Sequence, residues 1–166
     1  MRVLLICSGN TCRSPMAAGM LAAKLQAAAR AGAAEAASIA IGSAGTDAAP
    51  GMPATPEAVA ACRALGIEIG SHRSRRLDRE AVAGADLLLA MEPHHVARAR
   101  ALAPAARTRI ATLAAYAGRG ADEGIADPIG GGAARYRQTR DAIADLLERV
   151  VARLLAAQRG EGTDAD

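Results

Sequence analysis

Apolar positions along this chain follow two spacings that alternate. Short runs, apolar through their centres, occur at Arg2–Cys7 and at 38–42, 85–90 and 107–112, as expected of strands buried on both faces. Between them, helical spacing predicts helices near 15–30, 55–65 and 92–101, with a short one near 78–83 that Asp78 is placed to cap. The last helix is the plainest: Ile143, Leu146, Leu147, Val150, Val151, Leu154 and Leu155 recur every three or four residues, so one face should pack on the sheet. Strands and helices in alternation predict an α/β protein with a parallel sheet.

Two segments break the pattern. Residues 46–55 carry Pro50, Gly51 and Pro53, and residues 116–132 carry Gly118, Gly120, Gly124, Pro128 and three consecutive glycines. Loops this long in a compact domain are more often functional than idle. The 166 residues suit one domain, read as 1–158, followed by a Gly- and acid-rich tail at 159–166 read as disordered.

Composition narrows the function. Phe and Trp are absent and only Tyr116 and Tyr136 are aromatic, so a pocket has few aromatic walls to offer. The net charge is only +3, and the arginines are mostly scattered, which argues against nucleic acid as a partner. The cluster Arg73, Arg75, Arg76 and Arg79 reads as a solvated face or as a means of steering anions. No apolar run is long enough to cross a membrane, and the first six residues are too short for a signal peptide. Three cysteines in no disulfide or zinc spacing fit a reducing compartment, so the expected location is cytoplasmic.

The chemistry concentrates in Cys7-Ser8-Gly9-Asn10-Thr11-Cys12-Arg13-Ser14, between the first strand and the first helix. Ser14 reads as the cap and Pro15 as the first helical residue. Amides from Ser8 to Ser14 can converge at the helix N-terminus on a tetrahedral oxyanion. Gly9 allows the close turn, and Asn10 tolerates a left-handed backbone. Cys7 at the floor, beside these dipoles and Arg13, is a candidate thiolate nucleophile. The planar fork of Arg13 suits two phosphoryl oxygens. Alone, Cys7 would be an ordinary strand-end thiol; strand before, helix after, and Gly and Asn within favour the anion loop. A leaving group needs a carboxyl, and the candidate is Asp127, held extended by Pro128 in a glycine-rich loop. On its own, Asp127-Pro128 would read as a plain turn.

These residues resemble the low-molecular-weight protein tyrosine phosphatase family. The resemblance rests on Cys7, Arg13 and Ser14 in Cys-x5-Arg-Ser, on Asp127-Pro128, and on further matches at 42–46, 71–75, 85–91 and the final helix. It implies a flavodoxin-like four-stranded parallel sheet with helices on both faces, no metal and no cofactor. It also implies that Ser14 donates to the Cys7 thiolate, and that Asn10, Ser43 and His72 brace the loop. Within the family the chain looks most like the bacterial protein arginine phosphatases, through 7–16, Asp127-Pro128-Ile129-Gly130-Gly131 and 136–141.

The implied activity is hydrolysis of phosphoarginine in a protein substrate through a phosphocysteine intermediate, releasing inorganic phosphate. A polar guanidinium leaving group needs hydrogen-bond acceptors, which Thr11 and Asp127 supply, whereas a phenyl ring wants apolar walls. Ile129 departs from the resemblance, since arginine-type relatives often carry Phe there, and one wall is weaker for either substrate. A phosphotyrosine-directed enzyme with the same catalytic residues stays open. An arsenate reductase would need resolving cysteines late in the chain, and none follows Cys62. A non-catalytic anion-binding module would leave Cys7 and Asp127 without employment. Cys12 reads either as a small loop-packing residue or as a partner for a reversible disulfide with Cys7.

Overall fold

In the computed structural model, residues 1–120 and 123–160 are described. Four strands, β1 (Arg2–Cys7), β2 (Ala40–Gly45), β3 (Leu87–Ala90) and β4 (Arg109–Thr112), form one parallel sheet in the order β2-β1-β3-β4. The expected strands are all present. However, β2 lies two to three residues further along than predicted, because Ser43, Ala44 and Gly45 pair with Leu5, Ile6 and Cys7, while Ala34–Ser38 is a 3-10 turn.

The helices are α1 (Arg13–Arg30), α2 (Pro56–Arg63), α3 (Arg79–Ala83), α4 (Pro93–Leu102), α5 (Leu113–Tyr116) and α6 (Gly132–Gln158). Asp78 caps α3 as predicted, its carboxylate accepting from the Ala81 N–H at 2.7 Å. The short α5 was not anticipated; Thr112 caps it, accepting from Ala115 N–H at 3.0 Å. Helix α1 begins at Arg13 rather than Pro15, with Cys12 as cap. Pro15 thus occupies the third helical position, still among the first-turn N–H groups that have no intrahelical acceptor.

Alternation in the strands feeds two cores. Val3, Leu5 and Cys7, with Leu87 and Leu89, face Met16, Met20 and Leu21 of α1, Cys62 of α2, and Ile143, Leu147 and Val150 of α6. Leu4, Ile6, Leu88 and Ala90 face Val82 of α3 and Val96 and Ala99 of α4. The seven apolar residues along α6 give the predicted face: Ile143, Leu147 and Val150 share the core with Val3, Leu5 and Leu89 of the sheet, and the helix packs alongside α1 and α2.

Because β2 and β3 flank β1, the chain turns to opposite sides of the sheet after β1 and after β3, opening a crevice at the carboxyl ends of those strands. The Cys7 loop leaves β1 at that crevice. At the far end, the Arg159 guanidinium donates to Glu35 at 2.6 Å; residues 161–166 of the expected tail lie outside the described residues. No helix among the described residues is long and apolar enough to cross a membrane.

Candidate active site

The loop after β1 is held from outside by its carbonyls. Cys7 O accepts from Thr46 N–H at 2.9 Å, Ser8 O from Asp47 N–H at 3.0 Å, and Thr11 O from Thr55 N–H at 2.9 Å. Asn10 O accepts from His72 Nε2 at 2.7 Å. The amides from Ser8 to Ser14 have no acceptor among the described residues, which leaves them as a ring of donors at the start of α1, where the helix dipole adds positive potential.

Asn10 is the keystone. It is the sole non-glycine residue with positive φ among those described, at 55°, and is fully buried. Its Nδ2 donates to Ser14 Oγ and to Ser43 Oγ, both at 2.9 Å, while its Oδ1 accepts from Arg75 N–H at 2.9 Å. Gly45 lets β2 come close enough for this. A Cβ there would stand 2.3 Å from Ser8 O and 2.9 Å from Asn10 N. The bracing set of Asn10, Ser43 and His72 is thus assembled where the resemblance implied, and Arg75 joins it unforeseen, its Nε also donating to Ser43 O at 2.7 Å.

Cys7 is buried at the floor, with Ser14 Oγ 3.0 Å from its sulfur. Since Asn10 Nδ2 already donates to Ser14 Oγ, the Ser14 hydroxyl can turn its proton to Cys7 Sγ, the nearer of two acceptors, the other being Ala44 O at 3.5 Å. The guanidinium of Arg13 is buried and runs under the crevice. Its Nη1 is ion-paired to Glu92 and donates to Ile125 O at 2.9 Å; its Nη2 lies 2.5 Å from Asp127 Oδ2. Its Nε is buried with no partner among the described residues. Asp127 Oδ1 accepts from Ile129 N–H at 3.2 Å, and the Ile129 side chain stands 66% exposed at the rim.

Glu92 was missed in the sequence, although Glu92-Pro93 follows directly on the third apolar run, the place where a doubly wound sheet presents functional side chains. Burial alone would raise the Glu92 pKa, but the hydrogen bond and charge of Arg13, with His94 and His95, hold it below the ordinary carboxylate value. His95, also missed, is fully buried on α4, with Nε2 2.9 Å from Ser8 Oγ. Burial, then the neighbouring His94 and Arg13, lower its pKa to about 4, so the imidazole is neutral near pH 7.

Glu92, His94 and His95 bring one ligand atom each within 4.8 Å of one another. Glu92 is committed to Arg13 and His95 Nε2 to Ser8, and an adjoining guanidinium and helix N-terminus oppose a cation.

Cys12 is buried beside the site with its Sγ 3.2 Å from Tyr136 Oη, 3.6 Å from Thr11 Oγ1 and 3.7 Å from Thr55 Oγ1. Burial raises the Tyr136 phenol to about 12, so it stays protonated, and its hydrogen bond with Cys12 ties α6 to the loop. All three cysteines are free thiols, and burial in α2 pushes Cys62 up to about 11, which leaves it a poor nucleophile.

Comparison with known proteins agrees with this geometry. The family model for low molecular weight phosphotyrosine protein phosphatase matches residues 2–159. The chain is 36% identical over 157 residues to a protein-arginine-phosphatase of Geobacillus stearothermophilus, covering 95% of this chain and 98% of that one. It is 33% identical over 159 residues to a protein-arginine-phosphatase of Bacillus subtilis, covering 96% and 100%. A solved structure of YwlE arginine phosphatase, a Cys-to-Ser mutant with a phosphorylated active-site serine, superposes with TM-score 0.83 at 33% identity over 96% of this chain and 99% of that one.

Proposed function

The chain belongs to the low molecular weight phosphotyrosine protein phosphatase family, and on that footing we propose that it is a cysteine-dependent protein phosphatase hydrolysing the P–N bond of phosphoarginine residues. The observation that carries the phosphatase reading is the pairing of Cys7 Sγ with Ser14 Oγ at 3.0 Å inside a ring of acceptor-free amides, with Arg13 beneath. The arginine reading rests on Thr11 at the loop, Asp127 across from it, and the likeness to two protein-arginine-phosphatases over nearly the whole chain.

The phosphoryl dianion enters the amide ring and takes the two donors that Arg13 can offer upward, the unpartnered Nε and Nη2. It thereby replaces Asp127 on Nη2, while Glu92 and Ile125 O keep Nη1 in place. Asp127, released, takes up a proton from solvent and faces the leaving group. The Cys7 thiolate attacks phosphorus in line; the P–N bond breaks, and Asp127 gives its proton to the departing guanidinium nitrogen. Charge on the equatorial oxygens is met by the amides and Arg13. Asp127, now a carboxylate, takes a proton from water as its oxygen attacks phosphocysteine, and the P–S bond breaks to give phosphate and the Cys7 thiolate.

The reading includes a phosphorylated protein as substrate, inorganic phosphate as product, no metal or organic cofactor, and a cytoplasmic setting that keeps Cys7 reduced. A phosphotyrosine-directed reading shares every catalytic residue and is favoured by the exposed apolar Ile129. Paired kinetics separate them: phosphoarginine peptide should exceed phosphotyrosine peptide in kcat/KM by at least an order of magnitude, and Thr11→Ile should narrow or invert that ratio. An unchanged ratio would defeat the role given to Thr11.

A further inference from the structure

Ser8 sits next to the nucleophile, half-buried, and its hydroxyl is bracketed by two nitrogen groups. On one side is His95 Nε2 at 2.9 Å; on the other, Arg13 Nη2 at 3.5 Å. Arg13 is always a donor. What Ser8 does with its own proton therefore depends on which nitrogen of the neutral His95 ring carries hydrogen.

The ring answers this through its other nitrogen. His95 is fully buried, and its Nδ1 has no hydrogen-bond partner among the described residues. A proton on Nδ1 would bury a donor with no acceptor, and orphaned N–H groups are the rarer and costlier case; a bare lone pair is tolerated better. The proton thus belongs on Nε2, and His95 donates to Ser8 Oγ. With both lone pairs of Ser8 facing donors, its O–H is turned away from the protein and into the crevice. Any phosphoryl oxygen held by Arg13 Nη2 lies beside that hydroxyl.

We propose that Ser8 is a further catalytic residue whose side-chain hydroxyl donates to a phosphoryl oxygen, and that His95 is the positioning residue that aims it. This rests on the phosphatase reading above and adds one side-chain donor to the amide ring. The step moves no proton: the Ser8 O–H bond remains intact, and its hydrogen bond strengthens as charge gathers on the equatorial oxygens. It also gives a purpose to burying an imidazole whose second nitrogen is left unpaired.

The test has two arms. In the phosphate-free full-length protein, nitrogen-15 NMR of the His95 ring at pH 7 should report hydrogen on Nε2; hydrogen on Nδ1 overturns the proposal. In kinetics with p-nitrophenyl phosphate and with phosphoarginine peptide, Ser8→Ala should lower kcat roughly 10- to 100-fold with KM changed less than threefold. Ser8→Thr, which keeps the hydroxyl, should recover most of it. His95→Leu should reproduce the Ser8→Ala loss, and His95→Gln, whose amide can replace the Nε2 donor, should recover activity. A Ser8→Ala enzyme with unchanged kcat overturns the proposal alone. A wild-type protein that turns over neither substrate overturns the phosphatase reading and this proposal with it.

Discussion

Arg13 and Asp127, 114 residues apart in the chain, meet across the crevice with Nη2 2.5 Å from Oδ2. In the proposed mechanism, the residue that holds the phosphoryl group and the residue that protonates the leaving group occupy each other until substrate separates them. This exchange couples binding to the availability of the acid, and it sets a first expectation.

Asp127→Asn should lower kcat on phosphoarginine peptide by about 10²- to 10⁴-fold, the range of a lost general acid. The loss should be smaller on p-nitrophenyl phosphate, whose leaving group departs readily without a proton. Steady-state kinetics on both substrates check this; equal losses would remove Asp127 from leaving-group protonation.

Glu92 fixes the far side of the same guanidinium. Glu92→Gln keeps the shape, removes the charge, and should raise KM several-fold while costing about 1–2 kcal/mol of stability, since a buried cation loses one of its partners. Native Glu92 has a lowered pKa, so its contribution is present above the unfolded carboxylate value and is lost as pH falls through the folded one. Denaturant melts from pH 7 to pH 3 should therefore show a shallower acid loss in the variant.

His95 contributes to acid sensitivity in a higher window. Its folded pKa of about 4 lies below the ordinary 6.5, so the unfolded chain binds the proton more readily and stability falls as pH drops from about 6.5 toward 4. Facing it are His94, Arg13, Glu92 and Asp47. His95→Gln should flatten that part of the curve, by on the order of 2 kcal/mol between pH 7 and pH 4. An unaltered slope there would mean the imidazole is not buried in its neutral form.

Gly45→Ala probes the close approach of β2 to the catalytic loop. With a methyl group 2.3 Å from Ser8 O, the loop or the strand must shift, costing about 1–3 kcal/mol and at least tenfold in kcat. Thermal melting and p-nitrophenyl phosphate turnover read the two effects separately.

Leu147→Ala, in the centre of the α6 face and fully buried, should cost about 2–5 kcal/mol by denaturant titration, with kcat of the folded fraction retained. A loss near zero would contradict the packing of α6 on α1 and α2.

Much of this was written locally in the sequence. Alternating apolar periods gave the parallel α/β sheet, and Asp78 announced its helix, because periodicity and capping act over a few residues. Cys7, Arg13 and Ser14 share one strand-to-helix loop, so their spacing alone placed them together. Asp127 was legible because Pro128 and its glycines mark a loop with a task. Tertiary structure alone decided what lies opposite. Glu92 and His95 entered the site because β3 pairs with β1 and turns to the other side of the sheet; Arg75 because residue 76 bridges to Gly45, the last residue of β2; and Tyr136 because α6 crosses α1 and α2. Strand ends moved for the same reason, since a boundary is set where partners stop offering hydrogen bonds. Short-range stereochemistry fixes each element and the Cys7 loop. Which distant side chains hold Arg13, reach Ser8 and cover Cys12 depends on strand order and helix crossing, properties that arise only when the whole chain packs.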